Sequence, residues 1–240
     1  MSNSWFRFKQ FKIEQDKTAM KVGTDGVLLG AWVDVGGVKR VLDVGTGTGL
    51  IALMLAQRNR EAIIDAVDID KHACEQAAEN VKASPWPDRI KVVHSSFDGF
   101  ATDRKNGYDL IVCNPPYFID SKRPEDRKRR IARHADELTL DSLFRSGAKL
   151  LEEHGKLGVI FPYADRNVVI QTAEKQGLYP EKILNVRHDA ESNLVRVLIS
   201  FSKEAEKNVQ ISELEIETGT RHNYTEEFAA LVRDFYLYVD

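Results

Sequence analysis

The 240-residue sequence predicts an α/β protein with a mostly parallel sheet of seven strands and helices on both faces. Short apolar runs alternate with helical stretches along most of the chain, which is the pattern of strands joined by right-handed crossovers. The last two apolar runs are separated only by the short polar link 189–193. Because so short a link cannot cross a sheet, we expect the last two strands to form an antiparallel pair.

The predicted elements follow one another in a regular order. Strands are expected at 41–44, 62–67, 90–94, 108–113, 157–161, 183–188 and 194–201, and helices at 50–56, 71–82, 140–151 and 168–176. Outside this alternation we expect short strands around Phe6 to Phe11, a helix at 27–32, an alternating stretch at 209–217 and a helix at 226–236. We therefore predict an N-terminal cap or substrate segment (1–38), a core (39–202), and a C-terminal strand and helix packed on that core (203–240).

Composition and charge restrict the class of protein. The apolar share of 42% is enough for a sizeable core, and no apolar run approaches the length of about 18 residues that a membrane span requires. The N-terminus lacks the apolar region of a signal peptide. The two cysteines form neither a CxxC motif nor a cluster with metal-ligand spacing, so we expect no metal and a reducing cytoplasm. The net charge of -3 hides one local basic patch, formed by Lys122, Arg123, Arg127, Lys128, Arg129, Arg130 and Arg133.

A glycine-rich turn follows the first predicted core strand and opens a helix. Gly45, Gly47 and Gly49 stand at alternate positions after Asp43. Small residues let the backbone approach a ligand closely, and a helix N-terminus favours negative charge. The dinucleotide fingerprint G-x-G-x-x-G would require a third glycine where Leu50 stands, which argues against NAD. An ordinary tight turn remains the simpler alternative, but this spacing of glycines favours a cofactor site.

Acidic residues end the next strand. Asp68 lies about 20 residues beyond the glycine-rich turn, where a carboxylate is placed to bind ribose hydroxyls. Its alternative role, capping the following helix, is better suited to Asp70. At the end of the third strand stand Ser96 and Phe97. We expect Phe97 either to line a ligand pocket or to belong to the core.

The segment Asn114-Pro115-Pro116-Tyr117 directly follows the fourth strand. Ligands of open α/β sheets bind beyond the carboxyl ends of the strands, so this segment should lie beside the glycine-rich turn. An amino nitrogen conjugated to a ring, or an amide nitrogen, is a poor nucleophile because its lone pair is delocalised. The Asn114 side-chain oxygen and the Pro115 carbonyl could accept its two N–H groups, and Tyr117 offers a face for stacking. A turn that merely ends a strand is the alternative reading.

The glycine-rich turn and the Asn-Pro-Pro-Tyr segment (NPPY) together resemble the motifs of class I amino-methyltransferases. Class I methyltransferases have a Rossmann-like fold and bind S-adenosylmethionine through D/E-x-G-x-G-x-G. The resemblance implies that Asp43 orients the amino-acid part of the cofactor and that the three glycines make room for it. Related enzymes often use an acid to bind the adenine amino group where Ser96 stands here. Asn114, which the motif places beside the methyl donor, is also expected to contact the cofactor.

Two branches share the NPPY motif: nucleic-acid adenine-N6 methyltransferases and protein glutamine-N5 methyltransferases that act on release factors. Residues 21–32, KVGTDGVLLGAW, are similar to a signature of the bacterial tRNA1(Val) adenine-N6 methyltransferase family. This resemblance covers most of the chain, from about Phe6 to Phe201. It implies methylation of the adenine at position 37, next to the anticodon, and places Thr24 and Asp25 near the methionine end of the cofactor.

The basic patch at 122–133 favours RNA over protein as the substrate, because lysine and arginine contacts to phosphates supply affinity that does not depend on sequence. An adenine in an anticodon loop leaves its stack at little cost. We therefore expect a monomeric enzyme acting on tRNA. The alternatives are a protein glutamine-N5 methyltransferase, a non-catalytic RNA module that binds S-adenosylmethionine, and a DNA adenine methyltransferase.

Overall fold

The computed structural model describes residues 3–18, 20–102, 104, 107–115, 138–220 and 223–238. Its strands are β1 (Trp5–Arg7), β2 (Lys12–Glu14), β3 (Arg40–Val44), β4 (Ile63–Asp68), β5 (Ile90–His94), β6 (Tyr108–Cys113), β7 (Leu151–Pro162), β8 (Tyr179–Arg187), β9 (Leu194–Ser202) and β10 (Gln210–Glu215). Its helices are α1 (Thr24–Trp32), α2 (Leu50–Arg58), α3 (Lys71–Lys82), α4 (Phe97–Thr102), α5 (Leu140–Leu150), α6 (Arg166–Lys175) and α7 (Glu226–Val232), with a 3-10 turn at Tyr163–Asp165.

The main sheet has the strand order β10-β8-β9-β7-β6-β3-β4-β5. Strands β7, β6, β3, β4 and β5 run parallel, whereas β9 is antiparallel to both β7 and β8. The mostly parallel sheet and the antiparallel last pair are thus confirmed. A separate two-stranded sheet, β1 with β2, forms at the N-terminus.

The described sheet has eight strands, one more than predicted, because the C-terminal strand β10 joins it. β10 pairs in parallel with β8 and buries Leu214. Without β10, one edge of β8 would present unpaired backbone N–H and C=O groups. The alternating pattern at 209–217 predicted a strand, but pattern alone does not reveal which edge a strand will cover.

Helices cover both faces of the sheet, as predicted. One hydrophobic cluster is formed by β1, β2, α1, α2 and α7, and includes Phe8, Leu28 and Phe228. A second cluster is formed by α4, α5 and α6, and includes Phe144 and Val169. Helix α4 was not predicted, because a six-residue helix is too short to show a helical period.

The strand order reverses direction next to β3. The chain passes from β3 to β4 and β5 on one side, then returns to place β6 on the other side of β3. The connections that leave β3 and β6 therefore diverge and open a crevice at the carboxyl ends of these strands. Within the described residues, no helix is both long and apolar enough to span a membrane.

Candidate active site

A cavity of about 730 Å³ opens at this crevice. Eight of the residues predicted for the site line it, namely Thr24, Asp25, Gly45, Gly47, Asp68, Ser96, Phe97 and Asn114. The other predicted residues that the structure describes, Asp43, Gly49 and Pro115, do not line it. Pro116, Tyr117 and the basic patch at 122–133 lie outside the described residues. Sequence motifs far apart in the chain thus converge on one cavity.

The three glycines of the turn have different surroundings. Gly45 and Gly47 have φ values of 70° and 56°, which L residues rarely adopt. A Cβ atom at Gly45 would meet nothing within 4 Å, and one at Gly47 would meet only the Gly45 carbonyl oxygen, at 4.0 Å. Gly49 precedes α2 with φ 83°, and a Cβ there would lie 3.4 Å from the Ala77 Cβ. Two glycines therefore keep space open, and the third allows α2 to approach α3.

Asp43 lies beneath this turn and is completely buried. Its Oδ2 accepts hydrogen bonds from the Thr46 hydroxyl (2.7 Å) and the Ala52 N–H (3.1 Å), which ties the turn to α2. Its Oδ1 is buried and has no hydrogen-bond partner among the described residues. Burial raises the pKa of Asp43 to about 7. A buried acceptor oxygen without a partner is unusual, and this one belongs to the residue beneath a turn whose Gly45 and Gly47 line the cavity.

Asp68, at the end of β4, also fixes the position of the glycine-rich turn. Its Oδ2 accepts the Gly47 N–H (2.8 Å), and its Oδ1 accepts the Asp70 N–H (2.9 Å). Burial raises the pKa of Asp68. Because a carboxylate can accept about four hydrogen bonds, acceptor capacity is left for a ligand hydroxyl group. Asp70 caps α3 by accepting the His72 N–H, as predicted.

The loop after β5 forms another part of the cavity wall. Ser96 Oγ accepts the Gly99 N–H (3.2 Å) at the start of α4. Phe97 is 6% exposed, so it both lines the cavity and belongs to the core. Asp98 also lines the cavity, and its Oδ1 accepts the Ser146 hydroxyl at 2.5 Å. No role was predicted for Asp98, although its carboxylate stands only two residues after Ser96 in the sequence.

Asn114 directly follows β6 and lies beside the first turn of α1. A Cβ atom at Gly26 would lie 3.8 Å from Asn114 Nδ2 and 3.1 Å from Leu50 Cδ2. The glycine thus permits the close packing of α1 on α2, with Asn114 beside the same turn. Pro115 is buried next to it. This packing holds Asn114 between the glycine-rich turn and the N-terminal segment.

The buried side chain of Asn80, on α3, connects the N-terminal segment to the glycine-rich turn. Its Oδ1 accepts the Glu14 N–H (2.8 Å), and its Nδ2 donates to the carbonyls of Glu14 (2.9 Å) and Thr48 (2.8 Å). Nearby, the Gln15 side chain accepts the Val22 N–H (2.8 Å). Because these contacts join residues far apart in sequence, no local pattern could have indicated them.

Arg196 is a further cavity residue that the sequence analysis missed. It lies near the start of β9, and because β9 runs antiparallel, this end lies at the carboxyl edge of the parallel strands. Its Nε donates to both Asp25 carboxylate oxygens, at 3.1 and 2.9 Å. His188 and Val195 line the same end of the cavity. In the described part of the chain, no group of three or more His, Cys, Asp or Glu residues is arranged to hold a metal.

Comparisons with known proteins agree with this geometry. Residues 22–164 match the Methyltransferase small domain family. The chain is 48% identical over 237 residues to a protein of Parabacteroides distasonis and 46% identical over 240 residues to one of Christiangramia forsetii, each alignment covering 99% of both chains. Both relatives are named tRNA1(Val) (adenine(37)-N6)-methyltransferase.

Solved structures show the same fold at low sequence identity. A predicted O-methyltransferase from Agrobacterium tumefaciens matches with a TM-score of 0.69 at 16% identity, covering 88% of this chain and 96% of that one. A ribosomal protein L11 methylase from Lactobacillus delbrueckii matches with a TM-score of 0.58 at 18% identity, covering 80% and 84%.

The fold, the cavity at its switch point and the family match define a class I methyltransferase that uses S-adenosylmethionine. The open space above Gly45 and Gly47 and the partly used carboxylate of Asp68 fit that cofactor. Within this class, the chain belongs to the tRNA1(Val) (adenine(37)-N6)-methyltransferase family. The resemblance read from the motifs is thereby confirmed.

Proposed function

We propose that this enzyme transfers a methyl group from S-adenosylmethionine to N6 of adenine 37 in tRNA1(Val). The observation that carries this proposal is the 48% identity, over nearly the whole of both chains, to a relative named for that reaction. The position of Asn114 in the cavity supports the chemistry, since it combines an amide acceptor with a predicted cofactor site.

In this proposal, S-adenosylmethionine supplies an electrophilic methyl group on a sulfonium. The protein positions the target amino group. The Asn114 side-chain oxygen accepts one N–H of that group, and the Pro115 carbonyl is assigned the other. Two acceptors favour a pyramidal nitrogen whose lone pair points toward the methyl group. Tyr117 is assigned the face on which the adenine stacks. No residue is required as a general base, because the proton can leave after the methyl group has been transferred.

The cofactor contacts are assigned from the positions of the cavity residues. Asp68 accepts the ribose hydroxyls, Gly45 and Gly47 bring their backbone close to the cofactor, and Thr24 and Asp25 lie near its methionine end. Ser96 and Phe97 are assigned to the adenine end. Asp43 and Gly49, which do not line the cavity, are assigned to shaping the turn instead.

Incubating the enzyme with labelled S-adenosylmethionine and bulk tRNA tests the proposal. We expect label in a single tRNA species, recovered as N6-methyladenosine after digestion to nucleosides. Label in a release factor but not in tRNA would instead support the glutamine-N5 alternative. Binding of tRNA and cofactor without turnover would support a non-catalytic module, and label in duplex DNA alone would indicate a DNA enzyme.

The basic patch is proposed to bind the tRNA backbone. Reversing two of its charges, with Arg129→Glu and Arg130→Glu, is expected to weaken tRNA binding and to reduce the slope of log K against log salt by roughly one per lost phosphate contact. The measurement is a binding titration at several salt concentrations. The matched control is Lys175→Glu with Lys207→Glu, because both lysines are exposed and neither lines the cavity. An unchanged slope in the double variant would remove the patch from the RNA interface.

A tRNA substrate further implies a cytoplasmic location, where tRNA is processed. We propose that the enzyme acts as a monomer, because residues of one chain suffice to line the cavity. Sedimentation at the monomer mass of 27.2 kDa would support this, and a larger species would contradict it.

A further inference from the structure

An ion pair joins two distant parts of the chain at the wall of the cavity. Asp25 belongs to the first turn of α1, and Arg196 lies near the start of β9. The Arg196 Nε lies 3.1 and 2.9 Å from the two carboxylate oxygens of Asp25, and both residues line the cavity. The pair therefore bridges the N-terminal segment and the antiparallel end of the sheet.

The position of the pair relates it to the reaction. Gly26, the neighbour of Asp25, lies beside Asn114, since a Cβ atom there would be in van der Waals contact with Asn114 Nδ2, at 3.8 Å. The first turn of α1 has no side-chain cap of its own, since its N-cap is Gly23. The first turn of α1 is thus held by the hydrogen bonds that Arg196, on β9, donates to Asp25. A shift of that turn would therefore change its contact with the Asn114 side chain.

The surroundings of the pair make the loss of one partner more costly than it would be at an exposed surface ion pair. The side chains are 22% exposed for Asp25 and 31% exposed for Arg196. Exposed pairs are screened by water and contribute little, whereas removing one partner of a shielded pair leaves the other charge poorly solvated. Without Arg196, the Asp25 carboxylate would favour a position nearer to water, and the first turn of α1 would move with it.

We propose that Arg196 is a positioning residue for methyl transfer, which holds the Asp25 carboxylate and thereby keeps the first turn of α1 in place beside Asn114 and the methionine end of the cofactor. This inference rests on the proposed function. Arg196 acts through Asp25, so the loss of either partner should have the same consequence.

Arg196→Gln is expected to raise the dissociation constant for S-adenosylmethionine about tenfold and to lower kcat for tRNA methylation about as much, within the range found for coupled neighbouring residues. Asp25→Asn should do the same, and the double variant should be no worse than the poorer single variant. Arg196→Lys, which retains the charge, should recover part of both losses. The tRNA KM should stay within about twofold of the wild type, because a positioning defect acts on the bound complex.

The pair Lys156–Glu181 provides a matched control, because its atoms are also 2.9 Å apart and its side chains are 38% and 18% exposed, yet neither residue lines the cavity. Glu181→Gln should lower the melting temperature at least as much as Arg196→Gln does, but leave cofactor affinity and kcat unchanged. Equal effects of the two substitutions on cofactor affinity would reduce Arg196 to a structural role and overturn the proposal.

Other outcomes separate this inference from the function on which it rests. A rise in tRNA KM with unchanged kcat and cofactor affinity in Arg196→Gln would assign Arg196 to RNA binding and contradict the inference. Wild-type enzyme that methylates no tRNA would contradict the proposed function. In that case, measuring the dissociation constant for S-adenosylmethionine by isothermal titration calorimetry, without tRNA, would still test the role of the ion pair.

Discussion

Asn114→Ala is expected to lower kcat for tRNA methylation by about 10²–10³-fold, the usual cost of removing one preorganised polar group that acts on the reacting centre. The substitution removes the amide oxygen that is proposed to hold the target amino group. Among the described residues, the Asn114 side chain makes no hydrogen bond that supports β6. Single-turnover methylation of tRNA measures the effect on the chemical step.

Asn114→Asp is the matched control, because it keeps an oxygen acceptor at the same position and should therefore retain more activity than the alanine variant. The affinity for S-adenosylmethionine should fall by less than about tenfold in both variants, since the other cavity residues remain. Near wild-type kcat in Asn114→Ala would exclude the proposed role of the asparagine. A parallel loss of cofactor affinity and activity would assign Asn114 to cofactor binding alone.

Gly47→Val is expected to weaken S-adenosylmethionine binding by at least about tenfold, because a side chain would occupy space next to the cavity and strain a backbone with φ 56°. The Gly47 N–H also donates to Asp68, so a shift of the turn would displace the carboxylate assigned to the ribose. Isothermal calorimetry with S-adenosylmethionine measures the loss directly.

Gly177→Val is the control that distinguishes the effect of backbone strain from the effect of a side chain that enters the cavity. Gly177 has φ 74°, a Cβ atom there would meet nothing within 4 Å, and the residue does not line the cavity. This variant should be destabilised by about 1–2 kcal/mol, the cost of the left-handed conformation for a residue with a side chain, and should bind cofactor normally. Equal loss of cofactor affinity in the two variants would show that the glycine-rich turn is not the cofactor site.

The order of elements and much of the cavity could be predicted from local patterns. Apolar runs followed by glycines, by acids or by Asn-Pro identified the ends of β3, β4 and β6, and parallel strands bring such ends to one edge of the sheet. This is why Gly47, Asp68 and Asn114 could be assigned to one site before their positions were known. The offset at Leu50 distinguished the cofactor class, and the family match agrees with it.

Apart from Asp98, which stands close to Ser96 in the sequence, the contributions that were not predicted depend on contacts between distant residues. Nothing near Arg196 in the sequence indicates that it meets Asp25, because that contact requires β9 to run antiparallel between β7 and β8. Asn80 likewise reads as one polar position of an amphipathic helix, although its side chain links β2 to the glycine-rich turn. A motif analysis expects Asp43 to face the cofactor, whereas burial and its bonds to Thr46 and Ala52 place it beneath the turn.

The sequence by itself determined the fold class, the cofactor class and the family, because these depend on the spacing of glycines, prolines and acids within short segments. Only the tertiary structure decided that β10 completes the sheet, that Asp43 and Gly49 shape the turn from outside the cavity, and that Arg196 holds Asp25. The physical reason is the range of the interactions. Backbone conformation and strand ends are encoded locally, whereas burial and ion pairing depend on which distant segments the packed core brings together.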